Sequence, residues 1–109
     1  MAKSQETRIA CHLSPLKIRE VIDAVVEDLV RRNSKYRVEK DTSNSVALRV
    51  GVGWLSWGED VTLTVENASI HIISKCVVPT QIIDWGKNRK NVELVATTVH
   101  RAITRLSQT

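Results

Sequence analysis

Residues 7–13, TRIACHL, alternate along the chain. Ile9, Cys11 and Leu13 share one face, and Arg8, Ala10 and His12 share the other. A period of two predicts a half-buried strand. The period then changes. Ile18, Val21, Ile22, Val25, Val26 and Leu29 recur at three- and four-residue spacing, with Glu20, Asp23, Glu27 and Asp28 off that stripe. This is an amphipathic helix. Ser14 and Pro15 supply a cap and a first helical residue. Arg31 and Arg32 suit the negative end of the helix dipole, and Asn33 ends it.

Period two returns four times. Strands are expected at 36–39, 45–52, 61–66 and 70–77. Val46, Leu48, Val50 and Val52 face inward, followed by Val61, Leu63 and Val65, and then by Ile70, Ile72 and Cys76. Thr42-Ser43-Asn44 and Asn67-Ala68 carry turn chemistry. Gly51 and Gly53 fall on the outward side of their strand, where they would relieve crowding. A last helix is expected over 88–106, with Val92, Val95, Ala96, Val99, Ile103 and Leu106 on its apolar stripe. Lys87, Lys90, Arg101 and Arg105 lie roughly opposite.

The order is β-α-β-β-β-β-α, an α+β class. Short connections force an antiparallel meander, which closes most simply with the first strand beside the last. The expected architecture is a curved five-stranded antiparallel sheet with two helices on one face. The 109 residues are read as a single globular domain, with 1–6 and 107–109 as loose tails.

Composition narrows the class. The chain is 42% hydrophobic and 26% charged, as a globular domain should be. No apolar run approaches a membrane span, and the polar start MAKSQETR has no leader-like apolar stretch. A cytoplasmic location is therefore expected. Cys11 and Cys76 show no metal-binding or redox spacing, so they read as reduced, core-filling thiols, and neither metal nor cofactor is expected. The net charge of +4 permits weak attraction to anionic partners but does not identify one.

Two stretches stand out. GWLSWGED at 53–60 holds Trp54 and Trp57, and PTQIIDWGKNRKNV at 79–92 holds Trp85, in a chain without phenylalanine. Trp57 and Trp85 read as buried plugs at the end of the core, with Trp54 more exposed; a small apolar ligand beside Trp54, Trp57 and Trp85 is the functional alternative. Asp84 can accept N–H bonds across the Trp-Gly turn, Gly86 supplies a positive φ, and Asn88 can cap the final helix.

Ser56-Trp57-Gly58-Glu59, then Ser74, Thr80-Gln81, Asp84-Trp85-Gly86-Lys87-Asn88 and Asn91-Val92 resemble the ordered motifs of a group of small bacterial domains of unknown function. The resemblance runs from about Trp54 to Leu106. It implies a fold and no activity. The element order is also similar to the TATA-binding-protein-like fold and its helix-grip (START) relatives, an analogy of topology only.

Catalysis finds little support. Cys11 and His12 are adjacent on a strand and point apart. Glu59-Asp60 reads as an ordinary strand-end pair of carboxylates. His12 and His71 are expected as solvated neighbours on the open sheet face, and the known phosphate-loop, metalloprotease and serine-hydrolase motifs are missing. The expectation is a non-enzymatic binding module for a protein or a small apolar ligand, monomeric or weakly dimeric. Ile73, Val77 and Leu94 are the candidate apolar contacts. The alternative is a nucleic-acid accessory protein using Arg8, His12, Arg37, Arg49, His71 and Lys75 on the sheet's outward face. That face offers no aromatic platform for bases.

Overall fold

The computed structural model describes residues 4–51, 58–77 and 86–107. The elements are β1 (Ser4–Ala10), α1 (Pro15–Arg32), β2 (Tyr36–Asp41), β3 (Ser45–Val50), β4 (Glu59–Glu66), β5 (Ser69–Cys76) and α2 (Lys87–Ser107). The five strands form one open antiparallel sheet in the order β1-β5-β4-β3-β2. The first strand therefore lies beside the last, as the meander requires. Both helices contribute to a single core with the inward residues of the sheet, and they touch each other. No helix among the described residues is long and apolar enough to cross a membrane.

The local signals explain the element ends. The Ser14 hydroxyl accepts from the Lys17 backbone N–H at 3.3 Å, and Pro15 opens α1. Asn33 closes it: its backbone N–H and its side-chain amide both donate to the Leu29 carbonyl, at 2.9 and 3.2 Å. Ile18, Val21, Ile22, Val25 and Leu29 are buried against Leu48, Val61, Leu63, Ile70 and Ile72 in the common core. Each such side chain removed from water contributes roughly 1.5–3 kcal/mol. Arg19 ties the helix to the sheet. It donates to the Thr42 carbonyl at 2.6 Å in the β2–β3 turn, and its guanidinium pairs with Asp41 and Asp23.

Several boundaries differ from the sequence expectation. β1 begins at Ser4, so residues 4–6 are strand rather than tail, and it ends at Ala10 rather than residue 13. Its register with β5, from Ser4↔Lys75 to Ala10↔Ser69, is carried by backbone pairing that needs no apolar side chains. Cys11 makes one last bond, N–H to the Ala68 carbonyl at 2.9 Å, where the partner strand has already turned. At the other end of the chain, Ser107 still belongs to α2. β3 stops at Val50, and Gly51 lies beyond it with φ +50 instead of on an outward strand face. The Gly51 N–H donates to the Lys35 carbonyl at 2.8 Å, which joins the end of β3 to the start of β2. The expectations for Val52 and Gly53 fall outside the described residues.

Two turn positions carry opposite backbone demands. Gly58 has φ +92, and a methyl there would run into the Gly51 carbonyl oxygen and come within 2.8 Å of the Val50 carbonyl oxygen. Ala68, in the β4–β5 turn, has φ +55, a left-handed conformation that costs a residue with a Cβ roughly 1–2 kcal/mol. Gly58→Ala should therefore destabilise the fold by about 2–4 kcal/mol, whereas Ala68→Gly should leave it unchanged or stabilise it by up to about 1 kcal/mol. Urea denaturation midpoints of the two variants test both signs.

Candidate functional site

Strand parity brings a set of polar residues to the helix-covered side of the sheet. In β4, Glu59 continues the inward series of Val61 and Leu63. In β5, Ser74 falls between Ile72 and Cys76. Tyr36, Val50, Glu59 and Cys76 are paired in sequence across four strands, so they form one row at the same end of the sheet. The first turns of α2 lie over this row. Asn88 and Asn91 share a face with Val92 and Val95, and all four are buried.

Asn91 is the hub. Its amide nitrogen donates to Glu59 Oε1 at 2.9 Å and to Ser74 Oγ at 3.2 Å, and its oxygen accepts from the Tyr36 hydroxyl at 3.1 Å. Ser74 in turn donates to Asn88 Oδ1 at 2.7 Å, and Asn88 Nδ2 donates to Cys76 Sγ at 3.4 Å. The donors run in one direction, Tyr36 to Asn91 to Ser74 to Asn88 to Cys76, with Glu59 as a branch. Such a chain polarises its members in a common sense. Glu59 is 4% exposed and Asn88 and Ser74 are fully buried. Burial, with the Glu59 charge adding to it, pushes the Tyr36 phenol up to about 12. Burial also raises the Cys11 thiol, which sits elsewhere in the core.

Beside this network lies a cleft of about 590 Å³. Glu59 and Asn91 form part of its wall. Lys35 at the entry to β2, Arg37 on β2, and Lys87 and Lys90 on the first turn of α2 also line it. None of these four cations pairs with a carboxylate among the described residues. Arg49, which also reaches the cleft, is different: it holds Asp60 at 2.7 Å and Glu39 at 3.1 Å. Alternation thus splits the adjacent carboxylates, sending Asp60 outward to Arg49 and Glu59 inward to Asn91.

The outward sheet face is charged but interleaved. Arg8 pairs with Glu66 at 2.9 Å, and His71 meets Glu6 at 3.0 Å and Glu66 at 3.9 Å. The hydrogen bond from Arg8, reinforced by its charge, holds the Glu66 carboxyl below its ordinary range. Arg37 lies directly opposite Arg49 in the β2–β3 register, and Lys75 is exposed on β5. His12 departs from its expected place. β1 has ended before it, and the residue opposite His71 is Arg8. Leu94 is half-buried against the core, and Ile73 and Val77 are half-buried as well. No group of His, Cys, Asp or Glu among the described residues is arranged to hold a metal.

Among the motif residues, Gly86 has φ +72 and its carbonyl accepts from the Lys90 N–H at 3.0 Å. Asn88 is the second residue of α2 rather than its cap, and its side chain turns to β5. Trp54, Trp57, Trp85 and Asp84 lie outside the described residues. The polar network itself escaped sequence reasoning. Its signal was present as polar residues at inward parity: Glu59 and Ser74 at period two, Asn88 and Asn91 at helical spacing. No protein-family model matches the chain, and no curated protein matches it.

The raised phenol sets a sign for alkaline stability. Tyr36 has an ordinary value of 10.0 when exposed and about 12 in the fold. Its contribution is fully present below the unfolded value and is lost as pH rises from about 10 to about 12. The total is roughly 2–3 kcal/mol. Tyr36→Phe should remove this pH dependence, in denaturation series compared at equal pH. Since Tyr36 is the chain's 1 tyrosine, its phenolate absorbance reports the titration directly.

Proposed function

We propose that this protein is a non-enzymatic binding module whose small-molecule ligand seats in the cleft beside the Tyr36–Asn91 network. The cleft carries the reading. Its volume of about 590 Å³ falls in the range of small-molecule sites, and its walls come from β2, β3, β4 and α2. Its described walls combine the apolar stems of long side chains and Val50 with five cationic heads, which favours a ligand that carries an anionic group beside an uncharged part. No histidine or cysteine lines it. Glu59 is engaged by Asn91 there, an arrangement suited to positioning more than to proton transfer. A protein partner is the broader form of the same reading.

Membership of the small bacterial group with SWGE and DWGKN motifs is part of the proposal. Its support is that Glu59, Ser74, Asn88 and Asn91, four polar residues of that pattern, converge in one hydrogen-bond network. A cytoplasmic location is proposed as well; the free Cys11 and Cys76 fit a reducing compartment. Nucleic-acid binding by the outward face ranks lower, because Arg8, Arg49 and His71 each face carboxylates.

Native mass spectrometry of the purified chain should reveal a co-purified small molecule. A metabolite screen by NMR should shift the amides of Gly51, Lys87 and Asn91 together. If shifts appear instead on β1 and β5 with oligonucleotides, and no small molecule touches the cleft, the outward-face reading replaces this one.

A further inference from the structure

We infer that the cleft selects a small molecule bearing a phosphate monoester, held at the rim by Lys35, Arg37, Lys87 and Lys90. This rests on the reading of the cleft as a ligand site and names the ligand's chemistry. The first observation is an imbalance of charge. Of the six residues whose charges shape the cleft, Arg49 has two carboxylate partners and Glu59 is bonded to Asn91. The remaining four are cations without carboxylate partners among the described residues.

Among the described residues most of the arginines are closely paired. Arg8, Arg19, Arg31, Arg32, Arg49 and Arg89 all sit within 3.1 Å of a carboxylate. Four cations without a carboxylate partner among the described residues gather around one concavity, whereas the others that lack one, Lys40, Lys75, Arg101 and Arg105, do not line it. The fold also holds the lining cations in place. Lys35 is fixed through its carbonyl, which accepts the Gly51 N–H at 2.8 Å. Lys87 and Lys90 stand on a helix turn anchored from below by Asn88 and Asn91. That turn carries no acidic residue, so the positive end of the α2 dipole adds to the field instead of being offset.

The chemistry of the occupant follows. A phosphate monoester brings close to two negative charges and three acceptor oxygens, enough to bridge several cations at once. Lysine ammonium groups bind it as point charges, and Arg37 adds a planar fork. Glu59 on the wall repels an anion, so the phosphate seats at the rim and the uncharged part of the molecule turns toward Asn91. The ligand is therefore polar at both ends and anionic at one.

The test is an NMR titration of the isotope-labelled full chain with glycerol phosphate at constant ionic strength. Glycerol and succinate serve as the neutral and carboxylate comparisons. Saturable shifts at Gly51, Lys87 and Asn91 are expected with glycerol phosphate. Lys87→Gln/Lys90→Gln should weaken binding about tenfold or more, and Lys35→Gln/Arg37→Gln should do so independently. Lys75→Gln/Arg101→Gln removes the same charge from distant exposed sites and should change affinity less than about twofold. Equal binding of succinate or glycerol overturns the proposal. So does an equal loss in the distant variant, which would mark non-specific attraction. If a neutral co-purified molecule fills the cleft and glycerol phosphate does not bind, the phosphate proposal falls while the binding function stands. If nothing perturbs the cleft, both fall.

Discussion

The side-chain amide of Asn91 is the point on which the rest of this end of the protein depends. It joins three strands to one helix: Tyr36 from β2, Glu59 from β4 and Ser74 from β5. Apolar contacts below it, such as Val95 and Val99 on Ile70 and Ile72, drive the helix onto the sheet but are not directional. A helix held only that way can slide or rotate at modest cost. Hydrogen bonds from a buried amide cannot, because each unsatisfied group left behind costs about 1–3 kcal/mol. The network thus sets the register of α2 against the sheet, and with it the positions of Lys87 and Lys90.

That constraint also explains how the charges are distributed. On the outward face, cross-strand neighbours are free to match, and Arg8 with Glu66 and Arg49 with Asp60 do so. Such exposed pairs add little to stability, but they leave a nearly balanced surface. At the cleft, Glu59 is committed to the network, so among the described residues Lys35, Lys87 and Lys90 pair with no carboxylate. The field at the cleft is a consequence of where Glu59 points.

Most of the element pattern was legible in the sequence. The α1 stripe, its Ser14 and Asn33 ends and the strand order follow from periodicity and short connections. The start of β1 was not legible, because residues 4–6 pair through their backbone and show no apolar alternation. The sequence offers the Asn88 side chain as a cap, since asparagine near a helix start often is one; its burial against Ser74 is set by a strand distant in sequence. The tryptophan positions, on which the apolar-ligand expectation rests, lie outside the described residues.

The sequence by itself determined which residues face inward, because strand and helix periods are local properties of the backbone. Glu59, Ser74, Asn88 and Asn91 were already marked by falling at inward positions among aliphatic residues. Only the tertiary structure decided that these positions meet. Their partners lie 12 to 55 residues apart in the chain. They come together because the β1-β5-β4-β3-β2 order and the crossing of α2 place one end of every element at the same edge of the core. The cleft has the same origin. Lys35, Arg37, Lys87 and Lys90 are ordinary surface cations along the chain, and they become a site only where β2 and α2 converge.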